Sequence, residues 1–182
     1  MSASHNRVAV LHGVNFDILE RHDASIYGGL SLRELEQKIE DWARELGLET
    51  LFFQTNAEGE FVEYLHRLPD MADAAIVNAG AWTHYSRAIA DALDVSRLPA
   101  VEVHLSDVES RDDWRKESVF DGLVIAKISG KGADGYREAL ELLASDPQGA
   151  TEELLVLAHG FDSDMIAGLV NAGLATAELA QC

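Results

Sequence analysis

Two histidines and a glutamate stand where acid and base chemistry would need them. His84 follows the apolar run "AAIVNAG" and His104 lies in "AVEVHLS". If these runs are neighbouring strands, the two imidazoles sit beyond their carboxyl ends and can face one crevice. Glu102 precedes His104 by two residues, and side chains two apart on a strand share a face. A carboxylate there fixes the imidazole tautomer and favours the cationic form, which suits a general acid near neutrality. The same pair could equally be a buried ion pair with no catalytic use. A metal site would need a third ligand, and the chain has neither an H-E-x-x-H motif nor a cysteine pair to supply one.

A second feature is the segment "LHGVNFDILERHDASIYGGLSLRELE", residues 11–36. It joins an apolar run to a helix and sets Tyr27 against two glycines, which raises the question of what would help that phenol lose a proton. The G-x-G-x-x-G match "GKGADG", residues 130–135, is a weaker signal. A dinucleotide site would use the first strand of the sheet and an acidic residue about twenty positions further on, after a second strand, whereas here only a linker and a tail follow. The better reading is glycines that permit a tight turn and close approach of a helix. No G-x-S-x-G elbow or G-x-x-x-x-G-K-[ST] loop occurs, so hydrolase-elbow and P-loop chemistry are unsupported.

The elements that must position these residues can be read from periodicity. "RVAVLHG" has the short apolar form of a strand buried on both faces. Ser31 and Glu34 form an S-x-x-E capping box, and Leu32, Leu35, Ile39, Trp42 and Leu46 then recur at helical spacing. "ETLFFQ", "AAIVNAG", "AVEVHLS" and "GLVIAKISG" read as further strands, with "EFVEYLHRL", "SRAIADAL" and "ADGYREALELLA" as helices. Five strands interleaved with helices predict an α/β fold with a parallel sheet covered on both sides. Ligands of such sheets bind beyond the carboxyl ends of the strands. Here those ends carry Asn15, "QTNAEGE", "NAGAWTHYS", "HLSDVESRDDWR" and "GKGADG", a polar set that should converge.

With 182 residues the chain has room for one domain and an appendage. The reading is a core over 1–144 and, over 145–182, a linker "SDPQGATEE" with a tail of two short helices broken at "HGFDS". Hydrophobic residues at 47% and charged residues at 25% are those of a folded protein. A formal net charge of −18 argues against nucleic acid and acidic membranes as partners, and an anionic substrate would need local donors strong enough to overcome that field. No apolar run approaches membrane-spanning length, and "MSASHNRVAV" lacks the pattern of a secretory signal, so the expected location is the cytoplasm. The single cysteine, Cys182, has no partner for an intrachain disulfide.

Taken in order, the motifs resemble those of the type II 3-dehydroquinate dehydratases. "GVNFDILERHDASIYGG" is similar to the family's G-P-N-L-N-L-L-G-x-R-x-P-x-I-Y-G, and "FFQTNAEGE" to F-x-Q-S-N-x-E-G-E. "IVNAGAWTHYS" is similar to I-I-N-P-G-A-Y-T-H-x-S, "VEVHLSDVESRDDWRKES" to V-E-V-H-[LI]-S-N-x-x-x-R-E-x-F-R-x-x-S, and "GKGADGY" to G-x-G-x-x-G-Y. The resemblance spans about Val8 to Ala144.

It implies a flavodoxin-like, doubly wound five-stranded sheet and a cofactor-free dehydration of 3-dehydroquinate to 3-dehydroshikimate. In that scheme Tyr27 is the base that takes the proton beside the ketone. Asn15 holds a water against the enolate, and His104, oriented by Glu102, protonates the departing hydroxyl. Asn78, His84 and Arg115 hold substrate hydroxyls, while Ser106 and the amide of Leu105 bind the carboxylate. Asp91 corresponds to a residue that reaches a neighbouring subunit's site, in a family that forms trimers and dodecamers. A tyrosine, with an ordinary pKa of about 10, needs a nearby cation to act as base at neutral pH.

The family places an arginine five residues before that tyrosine. Here the position is His22, with Arg21 one residue earlier. Either Arg21 reaches the phenol, or His22 activates it, or the reaction has changed. Val14, Asp17 and Ala24 also depart from the family's opening motif, and Ala79 replaces a proline after Asn78; Asp17 would add negative charge near the loop. The alternatives are a diverged lyase or hydrolase acting on another cyclic ketone, and a catalytically silent paralogue that serves as a binding protein.

Overall fold

The computed structural model describes residues 6–24 and 28–145. Tyr27, the tail and Cys182 lie outside the described residues. Five strands form one parallel sheet: β1 (Arg7–His12), β2 (Glu49–Gln54), β3 (Ala74–Asn78), β4 (Ala100–His104) and β5 (Ala126–Ser129). Their order is β2-β1-β3-β4-β5, the flavodoxin-like arrangement whose ligand crevice lies where the winding reverses, between β1 and β3. The register brings the carboxyl ends level, pairing His12 with both Gln54 and Asn78, and His104 with Ser129.

Among the described residues four α-helices cover the sheet: α1 (Leu32–Glu45), α2 (Glu58–Met71), α3 (Arg87–Ser96) and α4 (Asp134–Ser145). Side chains alternate across each strand, so β1, β3 and β4 supply two cores. Val8, Val10, Ile76, Val101 and Val103 pack with Leu35 and Ile39 of α1 and Tyr136 and Leu140 of α4. Ala9, Leu11, Ala75, Val77 and Ala100 meet Phe61 and Leu65 of α2 and Ile89 and Leu93 of α3. Each large apolar side chain buried this way contributes about 1.5–3 kcal/mol, enough to hold the strand ends in a fixed relation. Among the described residues no helix is long and apolar enough to cross a membrane.

The expected capping box is present: Ser31 Oγ accepts the Glu34 amide, and the Glu34 carboxylate accepts the Ser31 amide at 2.9 Å. The expected apolar stripe of α1 needs one correction. Leu46 is 38% exposed and caps the helix, while Ala43, four residues after Ile39, is buried in its place. The helix stops there because Gly47, at φ 73°, turns the chain away. The last strand is also shorter than the run "GLVIAKISG" suggests. Gly122, at φ 82°, belongs to a turn in which the amides of Leu123 and Val124 donate to the Phe120 carbonyl, so pairing begins only at Ala126.

Candidate active site

Beyond the strand ends lies a cleft of about 300 Å³. Asn15, His22, Asn78, His84, His104, Leu105, Ser106, Arg111 and Arg115 all line it. Strand alternation divides them. Glu102 and His104 project toward the α2 and α3 side with Ala100, whereas Asn78 shares the opposite face with Ile76 and meets α4.

Glu102 is fully buried, and its carboxylate accepts the His104 Nε2–H at 2.8 Å. A carboxylate can only accept, so the donor nitrogen is settled and Nδ1 is the ring nitrogen left over. Ser118 Oγ lies 2.9 and 2.8 Å from the two Glu102 oxygens and itself accepts the Phe120 amide at 3.0 Å. With its acceptor side engaged, the Ser118 hydroxyl is turned to donate into the carboxylate. Sequence reasoning found Glu102 and His104 by their spacing but gave Ser118 no role, because thirteen residues, 105–117, separate it from β4.

His84 does not sit at a strand end. It closes a short 3-10 turn, Gly80–His84, that follows β3. The turn still returns it to the crevice, where its ring stacks against His104 with centroids 6.2 Å apart. His84 Nδ1 is 2.9 Å from the Glu117 carbonyl, which obliges Nδ1 to carry the hydrogen and leaves Nε2 with a lone pair. Burial, helped by the Arg115 charge, pushes the His84 pKa down, so the neutral acceptor form dominates near pH 7.

Two arginines supply positive charge. Arg115 lies over the Trp114 ring at 4.0 Å, and its Nε is 3.8 Å from an Asp112 carboxylate oxygen with no hydrogen-bond partner among the described residues. Arg111 Nη1 donates to Ser106 Oγ at 3.4 Å. Arg111 was missed as a site residue, although it stands inside the motif "HLSDVESRDDWR"; its convergence with Ser106 depends on the turns over Val108–Ser110 and Asp113–Arg115.

The glycine motif folds as a tight turn, not as a phosphate cradle. Gly130 and Gly132 have φ of 76° and 56°, and their amides donate to the carbonyls of Ser106 and Leu105 at 3.1 Å each. The turn thereby fixes the backbone that carries Leu105 and Ser106 to the cleft. On the other side, Gly13 must be glycine, since a Cβ there would lie 2.2 Å from the Ala79 carbonyl oxygen.

The first connecting segment follows β1. Its 3-10 turn, Phe16–Arg21, starts from Asn15 in the left-handed region at φ 69°. His22 lines the cleft, whereas Arg21 is exposed and does not. Asp17 is also outside the lining. Its carboxylate accepts Asn56 Nδ2 at 2.9 Å while Asn56 Oδ1 accepts the Asn15 amide at 2.7 Å, so Asp17 anchors the segment to the loop that follows β2. Asp91 is exposed on α3 and away from the cleft lining. Among the described residues no group of three His, Cys, Asp or Glu side chains could hold a metal ion.

Comparison with known proteins gives a consistent picture. The sequence model of the family described as dehydroquinase class II matches residues 6–144. The 3-dehydroquinate dehydratase of Syntrophotalea carbinolica is 44% identical over 135 residues, covering 74% of this chain and 91% of the relative. That of Pelotomaculum thermopropionicum is 44% identical over 139 residues, covering 76% and 96%. Among solved structures, the type II dehydroquinase of Propionibacterium acnes superposes with a TM-score of 0.74 at 36% identity, over 80% of this chain and all of that one. The type II dehydroquinase of Butyrivibrio crossotus gives 0.74 at 33% identity, over 78% and 99%. With the fold, the motif order and the family match in agreement, the chain belongs to the class II dehydroquinase family.

Proposed function

We propose that the protein removes water from 3-dehydroquinate to give 3-dehydroshikimate. Tyr27, as phenolate, takes the proton from the carbon beside the ketone, and the electrons move into an enolate. Asn15, on the cleft wall, steadies that enolate through a water. As the enolate collapses, the carbon–oxygen bond of the β-hydroxyl breaks and His104 supplies the proton that turns it into water. With Nε2 engaged by Glu102, Nδ1 is the nitrogen that delivers this proton, and Glu102 stabilises the imidazolium beforehand.

The observation that carries the reading is the gathering of Arg111, Arg115, Ser106 and the His104–Glu102 pair in one cleft of a chain with net charge −18. Preorganised donors are what a carboxylate substrate and a developing enolate both require. Ser106 Oγ and the Leu105 amide would take the carboxylate. The Arg115 guanidinium, on the cleft wall, would donate to a substrate oxygen, and Asn78 and His84 would accept from ring hydroxyls. Of the two candidate activators of Tyr27, His22 is favoured over Arg21 because it faces the cleft. Asp91 would act in the site of a neighbouring subunit of a homo-oligomer, in keeping with its exposed place on α3.

The test is purified protein with 3-dehydroquinate, following the enone absorbance of the product between pH 5 and 9. Turnover that falls by about 10²-fold or more in Tyr27→Phe is expected for loss of the base. Absence of turnover across that range would reject the substrate, and full activity of Tyr27→Phe would reject the base.

A further inference from the structure

The turn "GKGADG" leads into Tyr136, the first large side chain of α4, and that residue has no part in the chemistry above. Gly135 lets the start of the helix press against the sheet, since a Cβ there would meet Ile128 at 3.3 Å and Val103 at 3.4 Å. Tyr136 is driven beneath the strand ends as a result and is fully buried. Its ring meets His12 edge-on with centroids 5.6 Å apart, and His12 stacks on Phe16 of the cleft wall at 4.9 Å. Its hydroxyl accepts from Asn78 Nδ2 at 3.0 Å.

Asn78 ends β3, is only 3% exposed and lines the cleft. An amide has a donor end and an acceptor end of similar shape, so an unrestrained asparagine at this point could offer either to a substrate. We propose that Tyr136 is a positioning residue that holds the Asn78 amide, engaging one end of it beneath the sheet so that the other end is presented to the cleft. This rests on the reading of Asn78 as a substrate contact.

The surroundings keep the lock neutral. Burial pushes the Tyr136 phenol far above its ordinary range, and the Glu36 carboxylate adds to that. Burial likewise pushes His12 down, although its Nδ1 lies 3.5 Å from Glu36 Oε1. Near neutral pH a neutral phenol therefore faces a neutral imidazole.

The experiment is a double-mutant cycle on Tyr136→Phe and Asn78→Ala with 3-dehydroquinate, together with the side-chain amide resonances of Asn78 in ¹⁵N-labelled protein. Tyr136→Phe should raise KM and lower kcat/KM by about 5- to 100-fold, the cost of leaving a buried donor unpaired and its amide free to turn. In the Asn78→Ala background the same change should have less than a two-fold effect, because the tyrosine acts only through the amide. Equal losses in both backgrounds, or a Tyr136→Phe variant within two-fold of wild type, would overturn the proposal. If Tyr136→Phe fails to fold, the wild-type amide decides: slow hydrogen exchange at one Asn78 Nδ2 proton supports the lock, and fast exchange of both refutes it. Lack of turnover by the wild type would reject the substrate, while the amide resonances would still test the lock.

Discussion

Replacing Glu102 by Gln tests the acid half of the proposed reaction with little change of shape. The carboxylate is wholly buried and surrounded by donors: the His104 Nε2–H at 2.8 Å, and the Ser118 hydroxyl against both oxygens at 2.9 and 2.8 Å. A glutamine offers only one acceptor end there. If its oxygen serves His104, its NH₂ meets Ser118 Oγ, which already accepts the Phe120 amide. If it turns over, His104 must move its hydrogen to Nδ1 as a neutral tautomer. Either way the imidazolium loses a hydrogen bond to a charged partner, worth about 1.5–3 kcal/mol, and kcat should fall by about 10- to 150-fold. KM should hardly change, because Glu102 is too deeply buried to touch substrate. The melting temperature should fall only modestly, since the amide keeps part of the carboxylate's hydrogen bonding and its loss of charge relieves a desolvation cost. The assay is steady-state enone formation beside a thermal melt. A Glu102→Gln enzyme with kcat within two-fold of wild type would refute the assignment of His104 as acid, and a large parallel loss of stability would show that the pair serves the fold.

Other expectations follow from neighbouring contacts. Ser118→Ala should lower kcat by about 3- to 10-fold with KM unchanged, the loss expected for one hydrogen bond, and Ser118→Thr should restore it; a KM effect instead would place Ser118 against substrate. His22→Ala should reduce kcat by about ten-fold or more, and Arg21→Ala by less than about three-fold, if proximity to the cleft selects the activator of Tyr27; the reverse ranking would assign the role to Arg21. Because burial lowers the folded-state pKa of His12, the unfolded chain binds one more proton below its ordinary value near 6.5. His12 therefore contributes stability that is present above that pH and is lost as pH falls toward the folded value, with a slope of about 1.4 kcal/mol per pH unit. Urea midpoints measured from pH 7.5 to 5 should show that slope reduced in His12→Phe, and an unchanged slope would mean that His12 is not the group responsible.

Much of the architecture was legible because local patterns carry it. The apolar runs of β1, β3 and β4 need burial on both faces, the Ser31–Glu34 box starts α1, and Glu102 and His104 share a face by strand periodicity alone. Chain order then placed the polar segments at the carboxyl ends, where Asn15, Asn78 and His104 do meet. The strands, the α-helices and the shared face of Glu102 and His104 were thus determined by short-range geometry that a linear sequence contains.

The tertiary structure alone decided which atoms face one another. That His84 reaches the crevice through a 3-10 turn, that Arg111 joins Ser106, that Asp17 is tied to Asn56, and that Ser118 donates into Glu102 all depend on turns whose path no periodicity records. The choice of Ala43 over Leu46 for the core and the late start of β5 depend on where a glycine reverses the chain. The contact of Tyr136 with Asn78 joins residues 58 positions apart. Such pairings are set by how two helices settle onto opposite faces of a closed-packed sheet, a collective result of volume and shape to which each residue contributes and which none of them encodes by itself.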